Sequence, residues 1–503
     1  MSDKSALLKL HSSDQVAIAS RDIKAGEVVT VDDEVVEIKE DISTGHKVAI
    51  VDIAQGTNVI KFGSSIGHAV VNIGRGTWVH SHNVKTNLAG KLEYEYQPQN
   101  VALSLPEQVN HLPKTFQGYV RENGDVGIRN EIWIINTVGC INKSSEKLAQ
   151  IANTKFRDAG VDGVYHFAHP YGCSQLGDDL LYTQKLLAGL VRHPNAAGVL
   201  VMGLGCENNR IHEFMPFLGD YFADRVKFLN VQGVQDELEE GLDKISELVA
   251  YAQTFQRQAV PVSRLKVGLK CGGSDGFSGV TANPLIGATS DLLVSNGATT
   301  FLTEVPEMFG AETILMNRAN NATTYKKIVN LINDFKDYYT RHNQVIYENP
   351  SPGNKDGGIT TLEEKSLGCT QKGGHSLVTD VLAYGDAATQ SGLNLVQAPG
   401  NDMVSVTALI AAGAHIVLFS TGRGTPLGGA VPTIKVSTNS TLTEQKPHWI
   451  DIDAGRLLSG VSMEELSTAL YKLIVDVASG VYYTKNERHD YREIAIFKDG
   501  VTL

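Results

Sequence analysis

The sequence predicts a small all-β module at the amino end, followed by a large α/β region with mainly parallel sheets. Three observations carry that expectation. Residues 1–95 hold short β-branched runs (QVAIAS, EVVTV, KVAIV, NVIKFG) separated by Gly- or Asp-containing turns such as KAGE and AQGT, the pattern of closely spaced short strands. From about residue 118 onward, apolar strands alternate with helical patterns, as in α/β layers. Between the two, residues 96–117 (YQPQNVALSLPEQVNHLPKTFQ) carry three prolines and no clear period, which reads as an interdomain linker.

Taken in order, the expected strands of the α/β region, residues 118–503, are EIWIINTV, GVYHFAH, AGVLVMGL, RVKFLNV, RLKVGLK, TTFLTEV, LNLVQAP and HIVLFST. Each is a short apolar run bounded by turn residues. SSEKLAQIANTKFRDA, VQDELEEGLDKISELVAYAQTF and TTYKKIVNLINDFKDYYTR place apolar residues three and four apart and read as amphipathic helices. A division into two subdomains is expected near residue 260. Residues 343–375, with ENPSPGNKDGG and SLGCTQKGG, read as a long functional loop. No repeat of solenoid or propeller length is visible.

Composition narrows the function classes. The 503 residues carry 44 basic and 56 acidic side chains, a net charge of −12. Such a surface repels phosphate backbones, so no nucleic-acid partner is expected. An anionic substrate would need positive charge supplied locally. The start, MSDKSALLKLHSSDQ, lacks the apolar core of a signal peptide. The apolar stretches near 196–206 and 406–419 are too short or too interrupted to span a bilayer, so no membrane partner is expected. Five cysteines, an odd number without close pairs, read as reduced thiols and place the chain in the cytoplasm. A homo-oligomer is compatible with the sequence, which does not fix the number of subunits.

The chemistry-bearing residues cluster at strand ends. NTVGCINKSS (136–145), HPYGCSQLGDD (169–179), MGLGCENN (202–209), KCGGSDGFSG (270–279) and STGRGTPLGG (420–429) are glycine-rich turns of the kind that bind ligands at the carboxyl edge of parallel sheets. Cys140, Cys173, Cys206, Cys271 and Cys369 each stand beside a glycine. Thiolates there suit iron or zinc; the alternative is that small side chains fill tight places. Their spacing matches no zinc-ribbon or ferredoxin pattern. In WVHSHN, His80 and His82 fall two apart on an expected strand, which puts both imidazoles on one face. Asn83 and His68 are further donors nearby. Arg129, Asn130 and Arg423 offer carboxylate contacts, and Glu207, Glu304, Glu307, His166 and His169 are candidate proton carriers or surface groups. The residues alone support an α/β metalloenzyme acting on a small polar anion.

Longer blocks add a family likeness. VAIASRDIKAGEVV resembles the opening of a SAF domain, a compact β-clip fold, and DIAQGTNVIKFGSSIGHAVVNIGRGTWVHSHN resembles its remainder. With GDVGIRNEIWIINTVGCIN, RHPNAAGVLVMGLGCENN, CGGSDGFSGVTANP, LTEVPEMFGAE, YENPSPGNKDGGITTLEEKSLGCTQK and APGNDMVSVTAL, essentially the whole chain resembles the altronate and galactarate dehydratase family. The resemblance implies a hydro-lyase of hexuronate catabolism that removes water from D-altronate to give 2-keto-3-deoxy-D-gluconate. Galactarate is the alternative substrate. It also implies iron(II), with manganese(II) sometimes effective. The split sulfolactate sulfo-lyases are similar in plan, so a sulfo-lyase is a rival, as is a non-catalytic sugar-acid binding protein. A nicotinamide-linked dehydrogenase is disfavoured, because no GxGxxG follows the first α/β strand. For dehydration, His80 and His82 are the expected metal ligands, with one or more of Cys140, Cys173 and Cys206 as thiolate partners. Arg129, Asn130 and Arg423 are expected on the substrate, and His169 and Glu307 as proton carriers.

Overall fold

The computed structural model describes residues 6–32, 34–99 and 111–502. Its amino-terminal module is antiparallel throughout. Leu7–Leu8, Val16–Ala19, Lys47–Ala49 and Trp78–Val79 form one sheet in that order, Val28–Val31 pairs with Glu34–Glu37, and Asn58–Lys61, Ser64–Ala69 and Val84–Lys85 form a third set. The apolar residues of these short strands make two small cores. One, around Ala17, Val36 and Val48, is closed within the module. The other, around Val16, Val59, Ile66 and Val79, is completed by Ala311 and Leu367 from the far end of the chain. The module is therefore packed onto the α/β region rather than tethered beside it.

Part of the expected linker, residues 100–110, lies outside the described residues. The stretch before it lies against the α/β region: Tyr94 donates to Glu312 at 2.6 Å and Tyr96 to the Ala319 carbonyl at 2.8 Å. Thr115–Val120 then pairs antiparallel with Val126–Gly127 and with Arg257–Pro261, so the chain near residue 260 returns to where the α/β region starts.

Two parallel sheets follow. The first runs Val164–Phe167, Glu131–Asn136, Ala196–Gly203, Val226–Asn230. All six residues of Glu131–Asn136 and all eight of Ala196–Gly203 are buried, because helices cover both faces; that is why these strands read as unbroken apolar runs. Amphipathic helices Asn142–Lys155 and Glu237–Ala252 pack on it, the second capped by Asp236 accepting from Leu238 N and Glu239 N. The second sheet has the order Val378–Leu382, Gly392–Val396, Thr299–Leu302, Lys266–Cys271, Ile416–Thr421, Thr433–Ser437, Ile452–Asp453. Its first strand in sequence, Lys266–Cys271, lies in the middle. The next strands are laid on one side and the later ones on the other, so the order reverses between Lys266–Cys271 and Ile416–Thr421. Their carboxyl ends flank the crevice where parallel sheets bind ligands.

The expected loop over 343–375 is corrected here. It contains helices Pro352–Asp356 and Leu362–Thr370, and all nine residues of the second are buried. A helix covered on every side has no polar face and shows no helical period in sequence. This helix is the seat of the β module. Glu364 accepts from Lys61 at 2.7 Å and faces Lys47 at 2.9 Å; both lysines come from the module and are almost fully buried. Glu363 receives Asn87 N at 2.6 Å and the Thr86 hydroxyl at 2.8 Å. A Cβ on Gly276 would stand 2.0 Å from the Gly45 carbonyl and one on Gly358 2.4 Å from it, so only glycine lets the module's 43–46 turn settle against these two loops.

Burial alone would raise the Glu364 carboxyl, but Lys47 and Lys61 outweigh it and hold it at about 2. A depressed carboxylate stabilises the fold fully above its unfolded value of 4.5, and the contribution drains as pH falls towards 2. Glu364→Gln should therefore lower stability by about 3–5 kcal/mol, by leaving two buried ammonium groups short of a partner. Urea melts at pH 7 check the size of the loss. The gap between variant and parent should narrow in melts carried below pH 4.5; an unchanged gap there would contradict the assignment.

Candidate active site

Two strand ends and the buried helix converge at the carboxyl edge of the seven-stranded sheet. Lys270 and Cys271 close the central strand, Glu304 and Glu307 follow Thr299–Leu302, and Lys365, Cys369 and Lys372 come from Leu362–Thr370 and the turn after it. All seven are buried. Lys270 bonds Glu304 and lies 2.9 Å from Asp402. Lys372 bridges Glu304 at 2.8 Å and the Cys271 sulfur at 2.9 Å. Lys365 holds Glu307 at 2.8 Å and contacts Asn349 and Asn354. The Cys271 and Cys369 sulfurs are 3.4 Å apart, and Cys369 donates to Glu307 at 3.2 Å. Glu304 adopts φ 67°, a left-handed conformation that a non-glycine residue keeps only when its surroundings impose it.

The electrostatics follow from that geometry. Burial pushes the Glu307 carboxyl up, but Lys365, Lys270 and Lys372 overturn this and hold it at about 2. Burial opposes the Lys365 ammonium, yet Glu307 raises it to about 12. The thiols share their titration: the hydrogen bond from Cys369 holds Cys271 low, while the same bond and burial push Cys369 up. With Lys47 and Lys61 just above, five buried lysines face three buried carboxylates, Glu304, Glu307 and Glu364, plus the partly exposed Asp402. Five ammonium groups against four carboxylates nearly cancel, so the cluster is held together by paired charge within a chain of net charge −12.

On the open rim stand Gly273 and Arg423. The Arg423 amide donates to the Gly273 carbonyl at 2.9 Å, and its side chain is exposed at the point where the strand order reverses. The enclosed space below the β module, between Phe62, Asp275, Lys365 and Cys369, measures about 20 Å³, room for one water. A roomier cavity of about 350 Å³ opens elsewhere, near Asp125, Arg192 and Arg264. Its arginines already donate to backbone carbonyls, Arg192 to Phe217 and Arg264 to Gly124.

The structure redistributes the residues expected from sequence. Glu307 is in the buried cluster and Arg423 on its rim. Arg129 and Asn130 are not: they precede strand Glu131–Asn136 and so fall at the amino edge of the other sheet. There Arg129 is fully buried against Glu487 at 2.7 Å and two carbonyls, and Asn130 links Arg121 to the Ala252 carbonyl. His169 is no proton carrier in this arrangement, because its Nε2 meets the Asn136 carbonyl at 2.8 Å and its Nδ1 accepts from Tyr171 N. Glu207 caps its own turn through Leu204 N and Gly205 N.

The strand expected through His80 and His82 ends at Val79, and residues 81–83 form a turn, so the two-residue spacing does not align the imidazoles on one face. His80 is buried, stacks on Trp78 and shares a hydrogen bond with Thr360; burial, then Lys47, lowers it to about 4. His82 is exposed, with its ring tilted against Trp78. Among the described residues, the one set of three His, Cys, Asp or Glu donors within 4.8 Å of one another is Cys271, Glu307 and Cys369. The expected grouping of His80 and His82 with Cys140, Cys173 and Cys206 is not formed. What sequence reasoning missed were Lys270, Lys365 and Lys372; the signal for Lys270 was a lysine at the end of an otherwise apolar strand, which must be paired if buried.

A β module locked over the reversal point of a parallel sheet, above buried ammonium, carboxylate and thiol groups, defines an α/β enzyme for a small anionic substrate. Residues 5–87 match the altronate/galactarate dehydratase SAF domain, residues 118–253 the D-galactarate dehydratase/altronate hydrolase second domain, and residues 262–502 the D-galactarate/altronate dehydratase C-terminal domain. The chain is 52% identical to an altronate dehydratase of Escherichia coli (strain K12) over 99% of both chains. It is 51% identical to one of Bacillus subtilis (strain 168) over 99% of this chain and all of that protein. It is 34% identical to a galactarate dehydratase (L-threo-forming) of Escherichia coli (strain K12), covering 97% of this chain and 96% of that one. The chain belongs to the D-galactarate/altronate dehydratase family. No helix among the described residues is long and apolar enough to cross a membrane.

The two arginines are expected to part company on mutation. Arg129→Ala strands the buried Glu487 carboxylate and should lower stability by about 3–5 kcal/mol. Arg423→Ala removes an exposed side chain and should leave the thermal midpoint in place. Paired thermal melts decide this; equal midpoints for the two variants would refute the placement.

Proposed function

We propose that the chain is an altronate dehydratase, removing water from D-altronate to give 2-keto-3-deoxy-D-gluconate in hexuronate catabolism. The observation that carries the reading is the full-length likeness to two altronate dehydratases, well above that to the galactarate enzyme. The site's chemistry supports it. Loss of the C2 proton throws charge onto the substrate carboxylate, and that charge must be neutralised before the proton is acidic. Lys270, Lys365 and Lys372 are ion-paired with Glu304 and Glu307 below a space that admits only a water, so they set the potential beneath the rim and do not touch the substrate. Glu307, ionised throughout the physiological range, serves as their counter-charge rather than as a proton carrier. Arg423 on the rim supplies a fork for the carboxylate or hydroxyls. Free thiols throughout suit the reducing cytoplasm.

The reading includes iron(II), with manganese(II) as the substitute. Cys271, Glu307 and Cys369 are a borderline-soft donor set. Yet Lys372 already sits on the Cys271 sulfur and Lys365 on Glu307, so a bare dication between them would face three ammonium groups. The cluster as built does not fit one.

Under anaerobic conditions with added iron(II), the protein should convert D-altronate in preference to D-mannonate and galactarate, with 2-keto-3-deoxy acid as the product. Arg423→Ala should raise KM about 10- to 100-fold, the loss of one charged hydrogen bond worth about 1.5–3 kcal/mol. Preference for galactarate would overturn the substrate. Turnover of sulfolactate alone would overturn dehydration.

A further inference from the structure

We propose that Cys140, Cys173 and Cys206 together hold an iron–sulfur cluster at the carboxyl edge of the four-stranded sheet. The proposal takes from the functional reading only that the enzyme needs iron. The three cysteines follow three neighbouring strands, Glu131–Asn136, Val164–Phe167 and Ala196–Gly203, and each is the residue after a glycine. The glycines are required by close approach. A Cβ on Gly139 would lie 2.5 Å from the His169 carbonyl, one on Gly172 1.9 Å from the Thr137 carbonyl, and one on Gly205 2.8 Å from Asn230 and Gln232. The turns are also bonded to one another: Gly139 N to the Tyr171 carbonyl at 2.8 Å, Asn209 N to the Gly172 carbonyl at 3.0 Å, and Ser174 N to Asn208 at 2.8 Å. Three thiols are thus carried on one continuous shelf.

Cysteine is among the most buried residue types, yet all three of these are exposed, whereas Cys271 and Cys369 are buried. Their recorded contacts are neutral: Ser174 at 3.8 Å from the Cys173 sulfur and Gln232 at 3.5 Å from that of Cys206. Among the described residues no ammonium group occupies these sulfurs, in contrast to the Cys271 site. The shelf also holds buried polar atoms with no hydrogen-bond partner among the described residues: Asn136 Oδ1 at the end of the central strand, Gln175 Nε2 beside the Cys173 turn, and Asn209 Oδ1 beside the Cys206 turn. Their residues are at most 2% exposed. Such groups point to a partner other than the protein itself.

Spacing selects the kind of partner. A single tetrahedral ion with metal–sulfur bonds of about 2.3 Å would draw three sulfurs to about 3.8 Å of one another. These three do not form a donor set within 4.8 Å. A cluster of several irons bridged by sulfide spans a wider triangle, and three thiolates leave one iron free for a non-protein ligand. Each thiol gives up its proton and donates an electron pair to iron on binding, with no change in the oxidation state of the sulfur. Iron and inorganic sulfide come from outside the chain.

The test is to purify the full chain anaerobically, reconstitute it with iron and inorganic sulfide, and measure bound iron, acid-labile sulfide and the visible and Mössbauer spectra. The expected result is comparable iron and labile sulfide in the parent. Cys140→Ser, Cys173→Ser and Cys206→Ser should each lower both at least tenfold. Because these side chains are exposed, far-ultraviolet dichroism and the melting midpoint should stay at parental values. Iron without labile sulfide in the parent, or a cluster surviving in the triple Cys→Ser variant, would overturn the proposal. Iron-dependent turnover of altronate without labile sulfide would remove the cluster and leave the functional reading standing. A cluster in a protein that turns over no sugar acid would do the reverse.

Discussion

Glu364, bound between Lys47 and Lys61, is the contact on which the arrangement of the molecule depends. It sits in a helix with no solvent face, so every charge on that helix must be met by a partner or remain an uncompensated buried ion. Three successive residues find theirs in different directions. Glu363 takes the Asn87 amide and Thr86 hydroxyl, Glu364 the two module lysines, and Lys365 reaches Glu307 at the carboxyl edge of the adjoining sheet. Lifting the β module off the sheet would bare the first two sets together. The helix is thereby a charged key that admits one position of the module, and specificity of docking rather than net stabilisation is what such buried pairs supply best.

That constraint shapes the chemistry beneath it. The module contributes Lys47 and Lys61 to a region that already holds Lys270, Lys365 and Lys372, so five buried ammonium groups meet Glu304, Glu307, Glu364 and Asp402 at the carboxyl edge of the larger sheet. The low-dielectric surroundings strengthen each of these interactions, which is why Glu307 is held ionised despite complete burial. Close backbone approach does the rest. Gly276 and Gly358 let the 43–46 turn sit where any side chain would collide with the Gly45 carbonyl, and the space that remains is the size of a water. The space below the module is thus too small for a sugar acid, which leaves the Arg423 rim as the surface proposed to meet one.

Much of the fold was legible because buried parallel strands and amphipathic helices announce themselves by period. EIWIINTV, AGVLVMGL and HIVLFST are the cores of observed strands, and TTYKKIVNLINDFKDYYTR is a helix from Ala322 to Arg341. Helices wrapped on all sides were not legible, Leu362–Thr370 above all, because burial on every face erases the polar stripe. Site residues failed for a directional reason. Proximity to a turn does not say which end of a strand the turn occupies: Arg423 follows its strand and reaches the carboxyl edge, whereas Arg129 precedes its strand and falls at the amino edge. His80 and His82 failed because two-residue spacing aligns side chains only while the strand continues, and this one stops at Val79. Lys270 went unread because one cation at the end of an apolar run has no period, and Lys365 and Lys372 because they lie in a polar stretch that reads as loop.

The cysteines show how one dipeptide acquires two chemistries. Gly-Cys occurs at Cys140, Cys173, Cys206 and Cys369, and in each case the glycine admits a close neighbour, backbone at three of them and the Asn230 and Gln232 side chains at Gly205. At Cys369 the contact is with Gly279 across a buried helix, so the thiol is sealed against Cys271, Glu307 and the ammonium groups that neutralise them. At the other three the turns are bonded to one another along a sheet edge and the thiols are exposed, with no cation upon them among the described residues. A metal centre needs ligands whose negative charge is not already spent. By that criterion the buried pair, although closer together, is the poorer site, and the exposed trio is the better one.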